Sequence, residues 1–298
     1  MRVWVTGAKG FVGRILVEHL NRSGYDVIGS DLALDVTDSE AVNAKLAETQ
    51  PGAVIHLAAQ SSVSVSLDAP DRTFRTNFLG THNLLEAISR HVPSARVVVV
   101  SSSDVYGSVN RAGERFDETA PLVPQNPYSR SKAAADLLGG LYAQRGLDIV
   151  RVRPFNHTGT GQSDTFVLPN FARQVAEIQQ GRRAPEMEVG NLESVRDFLD
   201  VSDVVEPYKR LLDPGAPAGI YNIASGHATS IRSHLDTLFS IAGVSPEIRV
   251  RPDRYRPTDH AVGNASKLRL TTGWSPQIDF RDTLSRLYAH WSEQVADD

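Results

Sequence analysis

Apolar residues concentrate in five short runs: residues 1–6 (MRVWVT), 26–30 (DVIGS), 53–57 (AVIHL), 96–100 (RVVVV) and 148–152 (DIVRV). Runs of this length, rich in valine and isoleucine at both alternating positions, predict strands buried on both faces. Between them the period changes. Val12, Ile15, Leu16 and Leu20 recur at helical spacing, and helical patterns fill residues 39–49, 73–91 and 128–145. Strand alternating with helix predicts an α/β fold built on a doubly wound parallel sheet. The connection after Ser30 is short, with Asp31-Leu32-Ala33-Leu34-Asp35-Val36 standing where a full helix would be. Beyond about residue 154 the alternation loosens and Pro, Gly and Arg become frequent. This predicts one unit over residues 1–154 and a smaller interwoven lobe over 155–298, with residues 192–226 returning to the first unit. No internal repeat or low-complexity tract is visible.

The first strand breaks at Gly7-Ala8-Lys9-Gly10-Phe11-Val12-Gly13 and a helix follows. A glycine-rich turn in that context lets backbone N–H groups approach a pyrophosphate at the positive end of the helix. The spacing is G-x-x-G-x-x-G rather than G-x-G-x-x-G. In open parallel sheets, ligands bind at the carboxyl ends of the strands, and the polar residues gather there. Asp31 follows the second strand, where a carboxylate can accept bonds from an adenosine ribose. His56-Leu57-Ala58-Ala59-Gln60 ends the next with small residues that let a cofactor lie close. Ser101-Ser102-Ser103-Asp104-Val105-Tyr106-Gly107 ends the one after that.

Tyr128 and Lys132 lie four residues apart in PYSRSKA, so both fall on one face of the predicted helix. A fixed positive charge beside a phenol lowers its pKa from about 10, which would make Tyr128 a usable proton shuttle. Y-x-x-x-K alone is a short and common pattern, and its meaning here comes from the glycine loop and from Ser102 aimed at the same crevice.

Composition narrows the class. The 298 residues suffice for a large core. A net charge of −4, from 31 basic and 35 acidic residues, gives no sign of a nucleic-acid or membrane partner. There is no apolar run of about 18 residues. Cysteine is absent, so disulfides and thiolate metal sites are excluded. His56, His82 and His157 lack metal-ligand spacing, and no metal is expected; His56 is read as a packed core residue. The first strand begins at once, leaving no room for a secretory leader, and the expected location is the cytoplasm.

Taken in order, these motifs resemble the extended short-chain dehydrogenase/reductase family of sugar-nucleotide epimerases, dehydratases and reductases. The likeness extends over the glycine loop, His56-Leu57-Ala58-Ala59, residues 77–87 (NFLGTHNLLEA), the serine cluster, Tyr128 and Lys132. It continues through residues 153–156 (RPFN), 195–204 (VRDFLDVSDV), 255–259 (YRPTD), Lys267 and residues 273–276 (GWSP). The resemblance implies a Rossmann-type domain. Gly7, Gly10, Phe11, Val12 and Gly13 would cradle the pyrophosphate, and Asp31 would contact the adenosine ribose. Asp35 and Val36 would border the adenine, while Leu57, Ala58, Ala59 and Pro154 would line the cofactor path. Tyr128 would be the proton donor, Lys132 its partner and a nicotinamide-ribose ligand, and Ser102 a second hydrogen bond to the reacting oxygen. The substrate would meet Ser103, Asp104, Asn156, Arg196 and Arg256, the last three holding its diphosphate. Phe166, Val167 and Arg173 would border the base.

Residues 153–161 (RPFNHTGTG) and 196–201 (RDFLDV) most resemble the family's reductases of GDP-linked 4-keto-6-deoxyhexoses. The expected reaction is therefore reduction of the C4 ketone, GDP-4-keto-6-deoxy-D-mannose to GDP-D-rhamnose. A 4,6-dehydratase or 4-epimerase stays open, as does a silent nucleotide-sugar or NAD-binding protein on the same fold. The family's dehydratases carry a glutamate where Asp104 stands, and the loss of about 1.5 Å of reach argues against elimination. The cofactor is NAD or NADP, with a lean to NAD. At 4 Å and an effective dielectric near 20, Asp31 would repel a 2′-phosphate by about 4 kcal/mol, although Lys9 or Arg14 could pair with one. The resemblance also implies a homodimer joined through a four-helix bundle of the helices at 73–91 and 128–145. Leu84, Leu85, Ile88, Leu137, Leu138 and Leu141 are candidates for its apolar stripe, though each could equally face its own sheet.

Overall fold

The computed structural model describes residues 1–107, 113–252 and 259–297. Five strands open the chain: Arg2–Thr6 (β1), Asp26–Ser30 (β2), Ala53–His56 (β3), Arg96–Val100 (β4) and Ile149–Pro154 (β5). Short strands follow at Asn156–Thr158 (β6), Glu186–Val189 (β7), Val195–Arg196 (β8) and Phe198–Asp200 (β9), then Gly219–Ile223 (β10). One six-stranded sheet takes the order β2-β1-β3-β4-β5-β10, and every neighbouring pair in it is parallel. The chain runs outward from β1 to β2 and then crosses to β3 on the other side, so the switch point lies between β1 and β3. Register aligns the exits, for Thr6 pairs with both Ser30 and His56. The glycine loop, Asp31 and Leu57 therefore leave the sheet at one level.

Alternation along each strand sends side chains into two cores. Val3, Val5, Ala53, Ile55, Val98, Val150 and Val152 face one layer, with Leu16 and Leu20 of helix Phe11–Arg22 (α1). Trp4, Val54, Val97, Val99 and Ile149 face the other, with helices Ser39–Thr49 (α2), Gly80–His91 (α5) and Pro127–Gln144 (α6), while helices Val63–Asp68 (α3) and Pro70–Phe74 (α4) pack against α6. Burial on both faces is why these strands read as continuous apolar runs.

The helix expected at 73–91 is interrupted. Between α4 and α5, residues Arg75–Leu79 form a π-helical turn, and such turns are frequent at functional sites. The leucines of α5 also correct an expectation. Leu84, Leu85 and Ile88 are buried in this protein's own core and cannot meet a partner. Leu138 packs partly against that core, whereas Leu137 and Leu141 are 61% and 44% exposed.

The remaining helices are Val167–Gln179 (α7), Val201–Arg210 (α8), Ile231–Ala242 (α9), Ser266–Thr272 (α10) and Phe280–Asp297 (α11), with strands Thr229–Ser230 (β11), Glu247–Val250 (β12) and His260–Ala261 (β13). β10 completes the main sheet and α8 packs against α1. A third core forms among α7, α9, α11 and β7 from residues such as Phe171, Met187, Leu235 and Leu287. Among the described residues no helix is long and apolar enough to cross a membrane.

Candidate active site

The glycine loop lies tight against the exit of β3. Gly7 adopts φ +69°, and a Cβ there would sit 2.9 Å from the Ala58 nitrogen. A Cβ on Gly13 would lie 2.1 Å from the Gly7 carbonyl oxygen, so only glycine lets the loop and the helix approach this closely. Gly10 precedes α1 with no side-chain cap on the helix. The first N–H groups of α1, from Phe11, Val12 and Gly13, thus remain available to an anion, with the helix dipole behind them. This cradle fits a dinucleotide pyrophosphate. Beside it a cavity of about 500 Å³ is walled by Ala8, Lys9, Arg14, Gly29, Ser30 and Asp31. Asp31 therefore shares its space with three cations, Lys9, Arg14 and Arg22, the last paired with Glu18. Asp35 is turned away onto Thr37, whose N–H and hydroxyl both donate to it at 2.8 Å and hold its pKa below the ordinary value. Val36 is buried against Gly80. Leu57 and Ala58 continue β3, with both N–H groups bonded to Thr6; Ala59 follows, and Pro154 ends β5, buried.

The catalytic candidates depend on where α6 begins. Asn126 accepts from the Ser129 N–H at 2.9 Å, and the Ser129 hydroxyl oxygen accepts from the Asn126 N–H at 3.0 Å. This reciprocal cap, with Pro127 at the first helical position, fixes the helix start. Tyr128 and Lys132 follow one turn apart, both buried. The Lys132 Nζ donates to the Val100 carbonyl at 2.8 Å. Ser102, just beyond β4, lies near enough to the Tyr128 phenol to influence its pKa, and its hydroxyl accepts from the Asp104 N–H at 3.2 Å. Ser102, Asp104, Tyr128 and Lys132 are thereby brought together, with Ser103 buried in the 3₁₀ turn beside them.

The electrostatics differ from expectation. The Tyr128 pKa is raised, first by burial and then by the Asp104 carboxylate, with the Ser102 hydrogen bond opposing them. The acidification expected from Lys132 does not occur, because taking a phenolate out of water costs more than the other terms return. Burial also lowers Lys132 to about 8, partly offset by Asp136.

Asn156 and Arg196 also come together: β6 pairs with β9, and the Asn156 amide reaches the Asp197 carbonyl at 3.4 Å. Arg196 forms an ion pair with Asp259 at 2.6 Å. Phe166 precedes α7, Val167 begins it, and Arg173 follows on the same helix. The Arg173 guanidinium is bound by Asp164 at 2.5 Å and Glu177 at 3.0 Å and stacks over Trp291. Two carboxylates match the Arg173 charge in this arrangement, as Asp259 matches that of Arg196. Arg256 lies outside the described residues.

Nothing in the sequence marked a hydrogen-bonded chain that links the glycine loop to α6. The Thr81 hydroxyl donates to the Asn77 carbonyl at 2.7 Å, so its oxygen accepts from His56 Nε2 at 3.1 Å, which leaves His56 Nδ1 to accept from Thr6 at 2.8 Å. Asn77, in the π turn, grips the Gln60 backbone from both sides and donates to Ser131 at 2.9 Å. Ser131 in turn donates to the Tyr128 carbonyl at 2.7 Å. Across the cleft, Phe11 stacks on His157 and Arg14 donates to the Gly161 carbonyl, tying the second lobe to the glycine loop.

A pyrophosphate cradle at the switch point of a parallel sheet, together with a buried Ser–Tyr–Lys cluster at the carboxyl ends of its strands, defines a nicotinamide-dinucleotide-dependent enzyme of the Rossmann type. Residues 32–287 match the family model described as GDP-mannose 4,6 dehydratase. A GDP-6-deoxy-D-mannose reductase from Pseudomonas aeruginosa is 37% identical over 302 residues, covering 100% of this chain and 99% of the relative. The structure of RMD from the same organism, complexed with NADPH, superposes with a TM-score of 0.89 over 98% of both chains. A Thermus thermophilus UDP-glucose 4-epimerase in complex with NAD gives 0.88 at 32% identity, covering 98% of this chain and 99% of that one. The chain belongs to the GDP-mannose 4,6-dehydratase family, within the extended short-chain dehydrogenases/reductases.

The hydrogen-bonded chain predicts that His56 is neutral with its proton on Nε2. Burial, reinforced by the Lys132 charge, lowers its pKa to about 3. In ¹H–¹⁵N spectra its ring signals should hold one Nε2–H tautomer unchanged from pH 8 to pH 5; a midpoint inside that window would contradict the assignment.

Proposed function

We propose that this protein reduces the C4 ketone of a GDP-linked 4-keto-6-deoxyhexose, converting GDP-4-keto-6-deoxy-D-mannose to GDP-D-rhamnose in the cytoplasm. The 37% identical reductase from Pseudomonas aeruginosa, matched end to end, supports this substrate. The observation that carries this reading is that end-to-end match, and the raised pKa of Tyr128 agrees with it. A phenol held protonated at neutral pH is ready to donate to a carbonyl oxygen. The short Asp104 side chain at the family's glutamate position supports the same reading.

When bound, the reduced dinucleotide supplies a hydride to the C4 carbon. Phe11, Val12 and Gly13 would hold its pyrophosphate by their N–H groups, and Leu57, Ala58 and Ala59 would flank it. Tyr128 delivers its hydroxyl proton to the C4 oxygen, which Ser102 holds through a second hydrogen bond. Lys132, charged, stabilises the tyrosinate left behind and binds the nicotinamide ribose. Asn156, Arg196 and Arg256 would engage the diphosphate, for which a guanidinium fork is suited. Binding energy from the nucleotide, remote from C4, fixes the sugar for transfer.

We also infer a homodimer. Phe74 and Phe78, one turn apart beside α6, and Leu137 and Leu141, one turn apart on it, are exposed. Two adjacent i, i+4 apolar pairs on a protein surface suit a helical interface with a second copy.

Three measurements test these readings. Tyr128→Phe should lower kcat roughly a hundred- to ten-thousand-fold and leave dinucleotide affinity within about threefold; undiminished turnover would remove the role of the phenol. Asp31→Asn should shift the ratio of kcat/KM for NADPH over NADH upward by roughly tenfold or more, since a like charge is removed from the ribose pocket. No change would show that Asp31 does not reach the ribose. Light scattering should give twice the 32.5 kDa chain mass, whereas a monomer would exclude the interface.

A further inference from the structure

The face of α6 that carries Tyr128 and Lys132 continues one turn further to Asp136, a fully buried carboxylate. Two guanidiniums enclose it. Arg153 donates through Nε at 2.7 Å and through a terminal nitrogen at 3.0 Å, and Arg151 donates at 3.0 Å. Arg153 also donates to the Tyr106 hydroxyl at 2.9 Å, which donates onward to Asn222 at 2.7 Å. The helix is built to admit this arrangement. Gly139 and Gly140 lie under Arg151, where a Cβ on Gly140 would come within 2.8 Å of the guanidinium and one on Gly139 within 3.3 Å of its stem. Each glycine destabilises a helix interior relative to alanine.

Stability does not account for such a cluster. Buried ion pairs seldom outweigh the desolvation of their members, and apolar replacements often do as well. We propose that Asp136 is a positioning residue for the reaction, its carboxylate standing one turn behind Lys132 and keeping the lysine charged and extended along the helix toward Val100 and the phenol. The proposal rests on the reading of Lys132 as the cationic partner of Tyr128.

The charges around Lys132 leave that task to Asp136. His56, from β3, is neutral and itself disfavoured from protonating by Lys132. Asp104, from the 3₁₀ turn, acts on Tyr128, and Tyr106 beside it is bonded to Arg153 and Asn222. On β5 the near groups are Arg151 and Arg153, both cations. Asp68, Asp71, Arg72 and Arg75, before α5, are exposed to solvent and screened by it. On α5, His82 and Glu86 meet α6 further along, at Tyr142. Without the Asp136 carboxylate, Lys132 would share a buried region with two uncompensated guanidiniums. Opposing charge favours the ammonium and like charge disfavours it, which agrees with Asp136 raising Lys132 against burial.

The chain has five lysines, Lys9, Lys45, Lys132, Lys209 and Lys267, so ¹³Cε-lysine NMR of the full-length protein can follow each, with Lys132 assigned by loss of its signal in Lys132→Arg. The wild-type Lys132 midpoint should fall near 8. Asp136→Asn should lower it by on the order of one pH unit, Asp136→Glu should restore most of the difference, and Arg151→Gln should raise it. The alkaline limb of kcat/KM should move in the same directions, whereas a merely structural loss would lower activity equally at every pH. An unchanged or raised midpoint in Asp136→Asn overturns the proposal. If that variant does not fold, Arg151→Gln decides: an upward shift supports the proposal, and no shift or a downward one overturns it. Because the titration needs no sugar nucleotide, failure of the reductase assignment would leave these midpoints untouched and remain a separate result.

Discussion

One helix start sets the chemical register of this protein. The reciprocal bonds between Asn126 and Ser129 fix where α6 begins, and from that point Tyr128, Lys132 and Asp136 follow at one-turn intervals. Lys132 is anchored to the Val100 carbonyl at the carboxyl end of β4, and Ser102 just beyond that end neighbours Tyr128. The tyrosine backbone is held from the opposite side by Ser131 and Asn77. Sheet register then places the glycine loop two strands away at the same level. A shift of one residue at the helix start would rotate every one of these side chains by about 100°.

Desolvation governs the charges inside this frame. His56, Lys132 and Tyr128 are all moved by burial first, and each toward its neutral form. For Tyr128 this outcome suits the proposed role, since a proton donor must hold its proton until the carbonyl oxygen gains charge. For Lys132 it is a threat, because a neutral amine has no field with which to stabilise a tyrosinate. The enclosed carboxylate of Asp136 and the two arginines behind it give this region a fixed arrangement of charge that does not have to reorganise during the reaction.

Much of the fold was legible because its signals are backbone constraints. The strands at 26–30 and 96–100 and the helix at 39–49 appear with the boundaries read from the sequence; the run at 53–57 stops one residue early, and that at 148–152 extends to Pro154. The glycine loop was readable since Gly7 and Gly13 occupy positions where a Cβ would strike main-chain atoms. Other features left no sequence signal. Five residues of π-helix carry the same apolar spacing as an α-helix, so the turn that presents Asn77 was invisible. Periodicity marked an apolar face on α5 but not which surface covers it, and Leu84, Leu85 and Ile88 proved to be core. Arg173 was read as bordering the base, and its ion pair with Asp164, nine residues away, lies beyond any local pattern. The spacing put Lys132 one helical turn from Tyr128, but the cost of burying a phenolate is a property of the packed interior.

Hydride delivery from the cofactor to the sugar at C4 is the central claim, and isotope transfer tests it most directly. With GDP-4-keto-6-deoxy-D-mannose and dinucleotide carrying deuterium at the transferred nicotinamide position, NMR of the product should show one deuterium per turnover, at C4 of the hexose and nowhere else, with oxidised cofactor released in equal amount. Deuterium retained by the cofactor, or product formed without net cofactor oxidation, would contradict it and point to a catalyst that recycles its nicotinamide.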